Sequence, residues 1–562
     1  MTATAQGAAP AAGSMNGLWR RQLNHYPDTR PRMAYLAIVV LATIALYYAN
    51  YIPGAVAPSI IAQFGMTFTT YVYIIVIANA VGAFGSLAAG LADRWGRANL
   101  VAYGLVIVGL LVLFGIPNAS NTFTYGLLFS IIGIVEGVIL VATPALVRDF
   151  SPQLGRASAM GFWTLGPVLG SLVVAVVSSN TLSHLTAWQD QFIICGIAVL
   201  VVAAIAVVGL RELSPQLRDQ LMVSKRDRAL IEARASGLDV KTLTEHPWRQ
   251  MLRLDVIGSA FAIAVFLLVY YTAVGFFTVY FTTLHGFSLS TANSIGNWFW
   301  AFDAGALIII GIISDRVGVR KPFMVVGAVG AIVMTIIFLY LGKGTAYSTF
   351  AIVISILAVF LAIAYAPWMA SYTETVEKHN PALTATGLAV WGWIIRAVIA
   401  ISFLIMPAVV SSMTPLVTYG TQVSTLSAKY SQEIATGAAI DPATQAALAA
   451  NPLNPVAGAK AVAEIATAFH IGPAAATARL LQLAKVPPAD QAFLKTHGPD
   501  VISAAAAAPG QWKNWWWVCV GGEVVFIPLI LLMAGRWSPR RAREDAAEHE
   551  RLVEEEIAKL QV

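Results

Sequence analysis

Two stretches decide the fold: "AGLADRWGRANLV", residues 89–101, and "GIISDRVGVRKPFMV", residues 311–325. Each places Asp-Arg, a glycine and a further basic residue between two long apolar runs. The first copy supplies Asp93, Arg94, Gly96 and Arg97, and the second Asp315, Arg316, Gly318 and Arg320. A second echo joins "PALVRDFSPQLGRASAMGFW", from Pro144, to "PWMASYTETVEKHNPALTATGLAVWGW", from Pro367. Both read as a proline, a charged helix end, a second proline and a glycine-led helix with tryptophan. A membrane chain whose second half repeats its first in this order is expected to build two related bundles, with a site at their interface near midplane.

The composition fits that setting. Of 562 residues, 58% are hydrophobic and only 11% charged, against about 25% charge in a typical soluble domain. Apolar runs long enough to span a bilayer, about 20 residues each, lie near 33–53, 69–91, 99–117, 122–146, 157–178 and 190–210. After a polar stretch, six more lie near 256–281, 289–313, 322–341, 347–372, 383–411 and 515–535. The N-terminal segment has no short apolar core before a small-residue cleavage site, so it does not read as a signal peptide. Cys195 and Cys519 both sit in apolar runs and read as small buried hydrophobes.

Lysine and arginine set the orientation. One set of connections carries Arg20, Arg21, Arg30 and Arg32, then Arg94 and Arg97, Arg148 and Arg156, and the middle linker. The same set continues with Arg316, Arg320, Lys321 and Lys378, and ends with Arg536, Arg540, Arg541 and Arg543. The opposite connections, such as "PGAVAPS" and "PNASNT", are short and carry neither residue. The positive-inside rule therefore expects both termini and the linker in the cytoplasm of a cell (inner) membrane protein. Between the last two runs lies an Ala-rich stretch broken by "AAIDPATQ", "ANPLNPVAG" and "KVPPADQ", which reads as short helices outside the membrane, either a functional cap or a spacer.

The fold class is thus an all-α membrane protein: twelve transmembrane helices as two six-helix pseudo-symmetric bundles, with a helical extracytoplasmic insertion between the last two. The expected domains are a tail (1–32), the first bundle (33–210), an amphipathic linker (211–254), five helices of the second bundle (255–412), the outer insertion (413–514), the last helix (515–535) and a tail (536–562).

The Asp-Arg-x-Gly-Arg loop resembles the signature loop of the major facilitator superfamily, with Ala89 where the second copy has Gly311. The resemblance implies that Asp93, Arg94, Gly96, Arg97, Asp315, Arg316, Gly318 and Arg320 form a cytoplasmic gate latch. An Asp at a helix end can pair with an Arg or a helix N-terminus and release it as the halves rock.

Three ionisable residues lie deep in apolar runs: Glu136 in "IIGIVEGVILVATP", Asp303 in "WFWAFDAGALIII" and Arg396 in "WGWIIRAVIAI". Each is 12–14 residues from its cytoplasmic helix end, roughly 18–21 Å and so slightly past the centre of a bilayer. Charge at that depth costs at least ~2.5 kcal/mol and is expected to face an internal cavity. Arginine stays protonated and its fork suits a carboxylate, so Arg396 is the expected substrate anchor. Buried carboxyls take up and release protons, so Glu136 and Asp303 are the expected proton-coupling groups. A static Asp303–Arg396 ion pair is the structural alternative.

"GIVEGVILVATP" also resembles the fourth-span pattern of organic anion:cation symporters, which implies a proton-coupling role for Glu136. Many members of that group carry an arginine in the first span. Here "YYANYIPGAV" has Asn50 and Tyr51 and no charge, which leaves Arg396 as the anchor. Tyr48, Tyr51, Asn297, Trp300, Tyr365 and Trp393 are the expected substrate-binding neighbours; apart from Asn297 they come from an aromatic set that also includes Tyr47, Tyr270, Tyr271, Trp298, Trp368 and Trp391.

The expected partners follow. They are a small anionic solute, protons and the lipid bilayer, with no nucleic acid; a monomer is compatible with the sequence. No metal site and no cofactor is expected, because the histidines fall in loops or tails and no Gly-x4-Gly-Lys-Ser/Thr loop occurs. A proton gradient would supply the energy. No nucleophile–base pair points to an enzyme. The sequence expectation is therefore proton-coupled uptake of a small organic anion such as a carboxylate, with drug or cation/proton antiport as the alternative.

Overall fold

The structure is a computed structural model that describes residues 19, 21–87, 95–150, 156–217, 247–380 and 383–560. Asp93, Arg94 and most of the linker lie outside the described residues. In hydrocarbon every backbone N–H and C=O must be satisfied within its own segment, so the apolar runs form helices. In the first half these are α1 (Thr29–Ala55), α2 (Phe68–Leu87), α3 (Arg97–Leu110, prolonged by a π turn and a 3-10 turn to Asn118), α4 (Thr122–Phe150), α5 (Arg156–Thr181) and α6 (Trp188–Gly209). The second half has α7 in two segments (Leu254–Phe266 and Leu268–His285), α8 (Leu289–Val317), α9 (Lys321–Leu339), α10 (Tyr347–His379), α11 (Thr384–Val409) and α12 (Pro488–Leu529). Eleven of these helices are long and apolar enough to cross a membrane over their described residues, and α5 has the length to complete the twelve.

The repeat reappears in the packing. In the first half α4 packs on α2 and α3, and α1 on α5; in the second α10 packs on α8 and α9, and α7 on α11. The halves meet where α5 touches α8, where α2 touches α11 and where α1 touches α7. Adding six to a helix number turns each contact into its partner, the mark of two related bundles around a pseudo-two-fold axis. Small residues set the close approaches, as they do where lipid supplies no hydrophobic drive. A Cβ on Gly85 of α2 would sit 2.5 Å from the Ile134 carbonyl of α4. In α5, a Cβ on Gly166 would sit 2.5 Å from Thr43 Cγ2 and one on Gly170 2.6 Å from Tyr47 Cβ.

At the ends of the helices that carry the basic loops, each half is held by an ion pair. Arg97 at the start of α3 meets Asp149 at the end of α4 at 2.8 Å. Arg320, just before α9, meets Asp315 at 2.7 Å and Glu374 near the end of α10 at 3.3 Å. The Arg97–Asp149 and Arg320–Glu374 pairs join the same two helices of each bundle. Gly96 (φ +90°) and Gly318 (φ +78°) take backbone conformations that a side chain disfavours. Arg316 sits in the last turn of α8. In the first half, Glu212 follows α6 in β2 (Glu212–Leu213), paired in parallel with β1 (Gln22–Leu23). Its carboxylate accepts the Arg97 and Ala98 backbone N–H groups at 2.6 and 3.4 Å, capping α3.

Residues Val410–Gln511 form a separate compact unit. Its helices are Met413–Lys429, Ser431–Ala438, Pro442–Ala450, Pro455–Phe469 and Pro473–Ala484, followed by the first part of α12. The Asp-Pro and Asn-Pro pairs that break the sequence start two of these helices. Asp441 accepts the Ala443 N–H, and Asn454 accepts those of Val456 and Ala457, with proline at the first helical position. Ile440, Ala461, Ile465 and Ala476 form the core of this unit.

Two readings are corrected here. The last helix does not begin at 515: α12 runs unbroken from Pro488, because Pro499 and Pro509 are absorbed within it instead of ending it. The histidines are not all in loops, since His285 and His379 occupy last helical turns, and His379 contacts Asp255 at 2.5 Å. Glu523 in α12 is buried and accepts the Thr335 hydroxyl of α9 at 2.8 Å, away from the bundle interface.

Two outcomes follow from this packing. Gly85→Leu is expected to destabilise the protein by about 1–3 kcal/mol, lowering its melting temperature in detergent, whereas Gly305→Ala, with nothing within 4 Å, is expected to be neutral. Glu212→Ala is expected to cost about 0.5–2 kcal/mol through loss of the α3 cap, measured by the same thermal shift, with Glu212→Gln intermediate.

Candidate functional site

Between the two halves lies a cavity of about 300 Å³. Its walls come from α1, α2, α4 and α5 on one side and α7, α8, α10 and α11 on the other. Glu136, Asp303 and Arg396 all line it, together with Tyr51 and Tyr365. Both acids are almost fully withdrawn from solvent, with Glu136 8% and Asp303 3% exposed. Three charged side chains on three different helices therefore share one internal space. A charge there can meet water or a polar solute instead of lipid.

The charged groups come from both halves. Asn50 of α1 donates its amide to Glu136 Oε1 at 3.0 Å. Arg396, on α11 of the other half, acts electrostatically on Glu136 of α4. Asp303, on α8, lines the cavity together with Tyr270 and Tyr365.

Four expected neighbours lie elsewhere. Trp393 is 44% exposed on the outer side of α11, two residues and so about 200° from the cavity-lining Trp391. Tyr48 is buried and lies outside the cavity lining. Asn297 donates to Ser179 Oγ at 3.0 Å. Trp300 packs edge-on against Tyr270, with centroids 5.0 Å apart, beside a smaller void of about 30 Å³.

Asn297 belongs to a seam that joins the halves at one end of the cavity. Ser290 donates to the Ser179 carbonyl at 2.6 Å and Asn293 to the Ala55 carbonyl at 3.0 Å. Phe276 of α7 packs against both Phe68 and Phe403, at 5.6 and 4.9 Å. The Ala55 carbonyl is available to Asn293 because α1 ends there, at Val56 and just before Pro58.

Sequence reading passed over Asn79, which lines the cavity, and Asp149, Glu212 and Glu374, which hold the helix ends. The acid that follows the repeated Pro in "PALVRD" and "PWMASYTE" was a visible signal for two of them. Among the described residues no cluster of three or more His, Cys, Asp or Glu could hold a metal ion.

The comparisons with known proteins agree with this architecture. The Major Facilitator Superfamily profile matches residues 39–403. An MFS transporter, asaE, of Aspergillus flavus is 27% identical over 31% of this chain and 41% of its own length. An MFS-type efflux pump of Mycolicibacterium smegmatis is 25% identical over 53% of this chain and 66% of its own. The chain therefore spans less than two thirds of either relative. Among solved structures, an inward-facing, unoccupied bacterial homolog of the human lysosomal transporter Spinster aligns over 91% of this chain and 100% of its own, at 18% identity and a TM-score of 0.51. The proton:xylose symporter XylE, bound to a bromodeoxyglucose, aligns over 68% of this chain and 90% of its own, at 14% identity and a TM-score of 0.50. At those identities the two structures speak for the fold alone. With its family profile covering both halves of the bundle, this chain belongs to the major facilitator superfamily.

Proposed function

We propose that the protein is a secondary active transporter that works by alternating access and carries a small organic anion together with protons, in the direction of uptake. The observation that supports this reading is the meeting of Glu136, Asp303 and Arg396 in one internal cavity between the halves. Arg396 would pair with the solute's carboxylate. Glu136, held by Asn50 and within the field of Arg396, would give up or regain a proton as the anion arrives and leaves. Asp303 would carry a second proton. The basic loops support a cytoplasmic position for both termini and the linker in a cell membrane, by the positive-inside rule. No cofactor beyond the proton gradient enters this scheme.

A second reading has specific support. With all three groups ionised, two acids stand against one arginine in the cavity, and the mycobacterial relative is an efflux pump. Those features suit antiport of an organic cation against protons.

Proteoliposomes under an imposed pH gradient separate the two. Symport is expected to show organic-anion uptake that accelerates when the solute side is acidified and vanishes when the gradient is collapsed. Arg396→Ala is expected to raise the KM for the anion about 10–100-fold, the loss of a charge-assisted pair of ~1.5–3 kcal/mol; unchanged transport by that variant would remove the anchor role. Glu136→Gln is expected to retain solute exchange while losing concentrative, gradient-driven uptake. Gradient-driven export of a lipophilic cation, with no anion response, would favour antiport.

A further inference from the structure

In the anion reading the charged groups set the sign of the solute, and the cavity walls bear on its shape. Five tyrosines (Tyr47, Tyr51, Tyr270, Tyr271 and Tyr365) and Trp391 line it. They come from α1, α7, α10 and α11, so both halves contribute rings. Tyr47 and Tyr51 lie 5.4 Å apart on α1, and Tyr270 and Tyr271 5.6 Å apart and nearly perpendicular on α7. The remaining wall mixes aliphatic side chains such as Leu267, Val274, Leu361 and Ile395 with Asn50, Asn79, Phe129 and Phe403.

We infer that the transported anion is an aromatic carboxylate, one planar ring bearing an acid group, an inference that rests on the anion reading above. Ring walls hold a ring through offset and edge-on contacts that an aliphatic chain cannot reproduce. The cavity, about 300 Å³, lies at the lower end of the ~300–1,000 Å³ range of small-molecule sites, which suits a single ring with its substituents. Trp391 and Arg396 sit on one helix, both lining the cavity. There the guanidinium would hold the acid group while the ring walls hold the ring.

The test uses the purified full-length protein and a panel of five probes: benzoate, 4-hydroxybenzoate, glucuronate, lactate and benzyltrimethylammonium. Binding is measured directly, and counterflow in proteoliposomes confirms that bound probes are carried. Benzoate and 4-hydroxybenzoate are expected to bind at least tenfold more tightly than glucuronate or lactate. Tyr271→Leu is expected to cut that preference below threefold and Tyr271→Phe to keep it, with melting temperature monitored to separate lost binding from lost fold. Lactate or glucuronate binding as tightly as benzoate to the parent protein would overturn the aromatic inference and leave the anion reading standing. Binding of benzyltrimethylammonium without either aromatic acid would overturn both. Binding of none of the aromatic acids would overturn the inference as well.

Discussion

The cost of an ion in hydrocarbon governs this structure. Glu136, Asp303 and Arg396 sit midway along helices whose outer faces are apolar, and each would be expelled from lipid if it faced outward. The fold answers by turning all three toward the same space between two bundles. Backbone hydrogen bonding kept within the spans, glycines that let helices touch, and a repeat that presents matching helices from each half all serve that enclosure.

Rigidity and mobility are distributed unevenly around the cavity. Within each half, an arginine at the start of the third helix is locked to an acid near the end of the fourth, as Arg97–Asp149 and Arg320–Glu374. Glu212 adds a cap on α3. Between the halves, Ser290, Asn293 and Asn297 donate to Ser179 and Ala55 at one end of the cavity. Neutral hydrogen bonds of this kind contribute only about 0.5–1.5 kcal/mol each. Stiff bundles joined by a thin polar seam are suited to rock against each other, because the seam can break and re-form while the bundles keep their shape.

The architecture was legible in the sequence because hydrophobic length and Lys/Arg placement are imposed directly by the bilayer. The cavity charges were legible for the same reason: an isolated Glu, Asp or Arg in an apolar run has few places to go. The aromatic neighbours were harder. Tyr47 and Tyr48 are adjacent in sequence, yet a helix turns about 100° per residue, so one lines the cavity and the other is buried outside its lining. Trp391 and Trp393 divide in the same way. Asn297 and Trp300 share a helix with Asp303 but belong to the seam and the smaller void beside it, a distinction that depends on how far α5 approaches α8. Glu212 escaped notice because its partner is a helix N-terminus more than a hundred residues away, and no local pattern marks such a cap. The long α12 was misjudged because prolines that read as breakers are carried within it.

Single-cysteine labelling in a Cys195→Ala, Cys519→Ala background tests the shared cavity most directly. Asp303→Cys and Ile309→Cys would be compared on the same helix, one lining the cavity and the other 58% exposed on the outer face. The account predicts that a hydrophilic thiol reagent modifies position 303 and spares position 309 in the bilayer, where lipid covers it. Rapid modification at 309 with none at 303 would mean that the buried charges do not face a common aqueous route, and would contradict it.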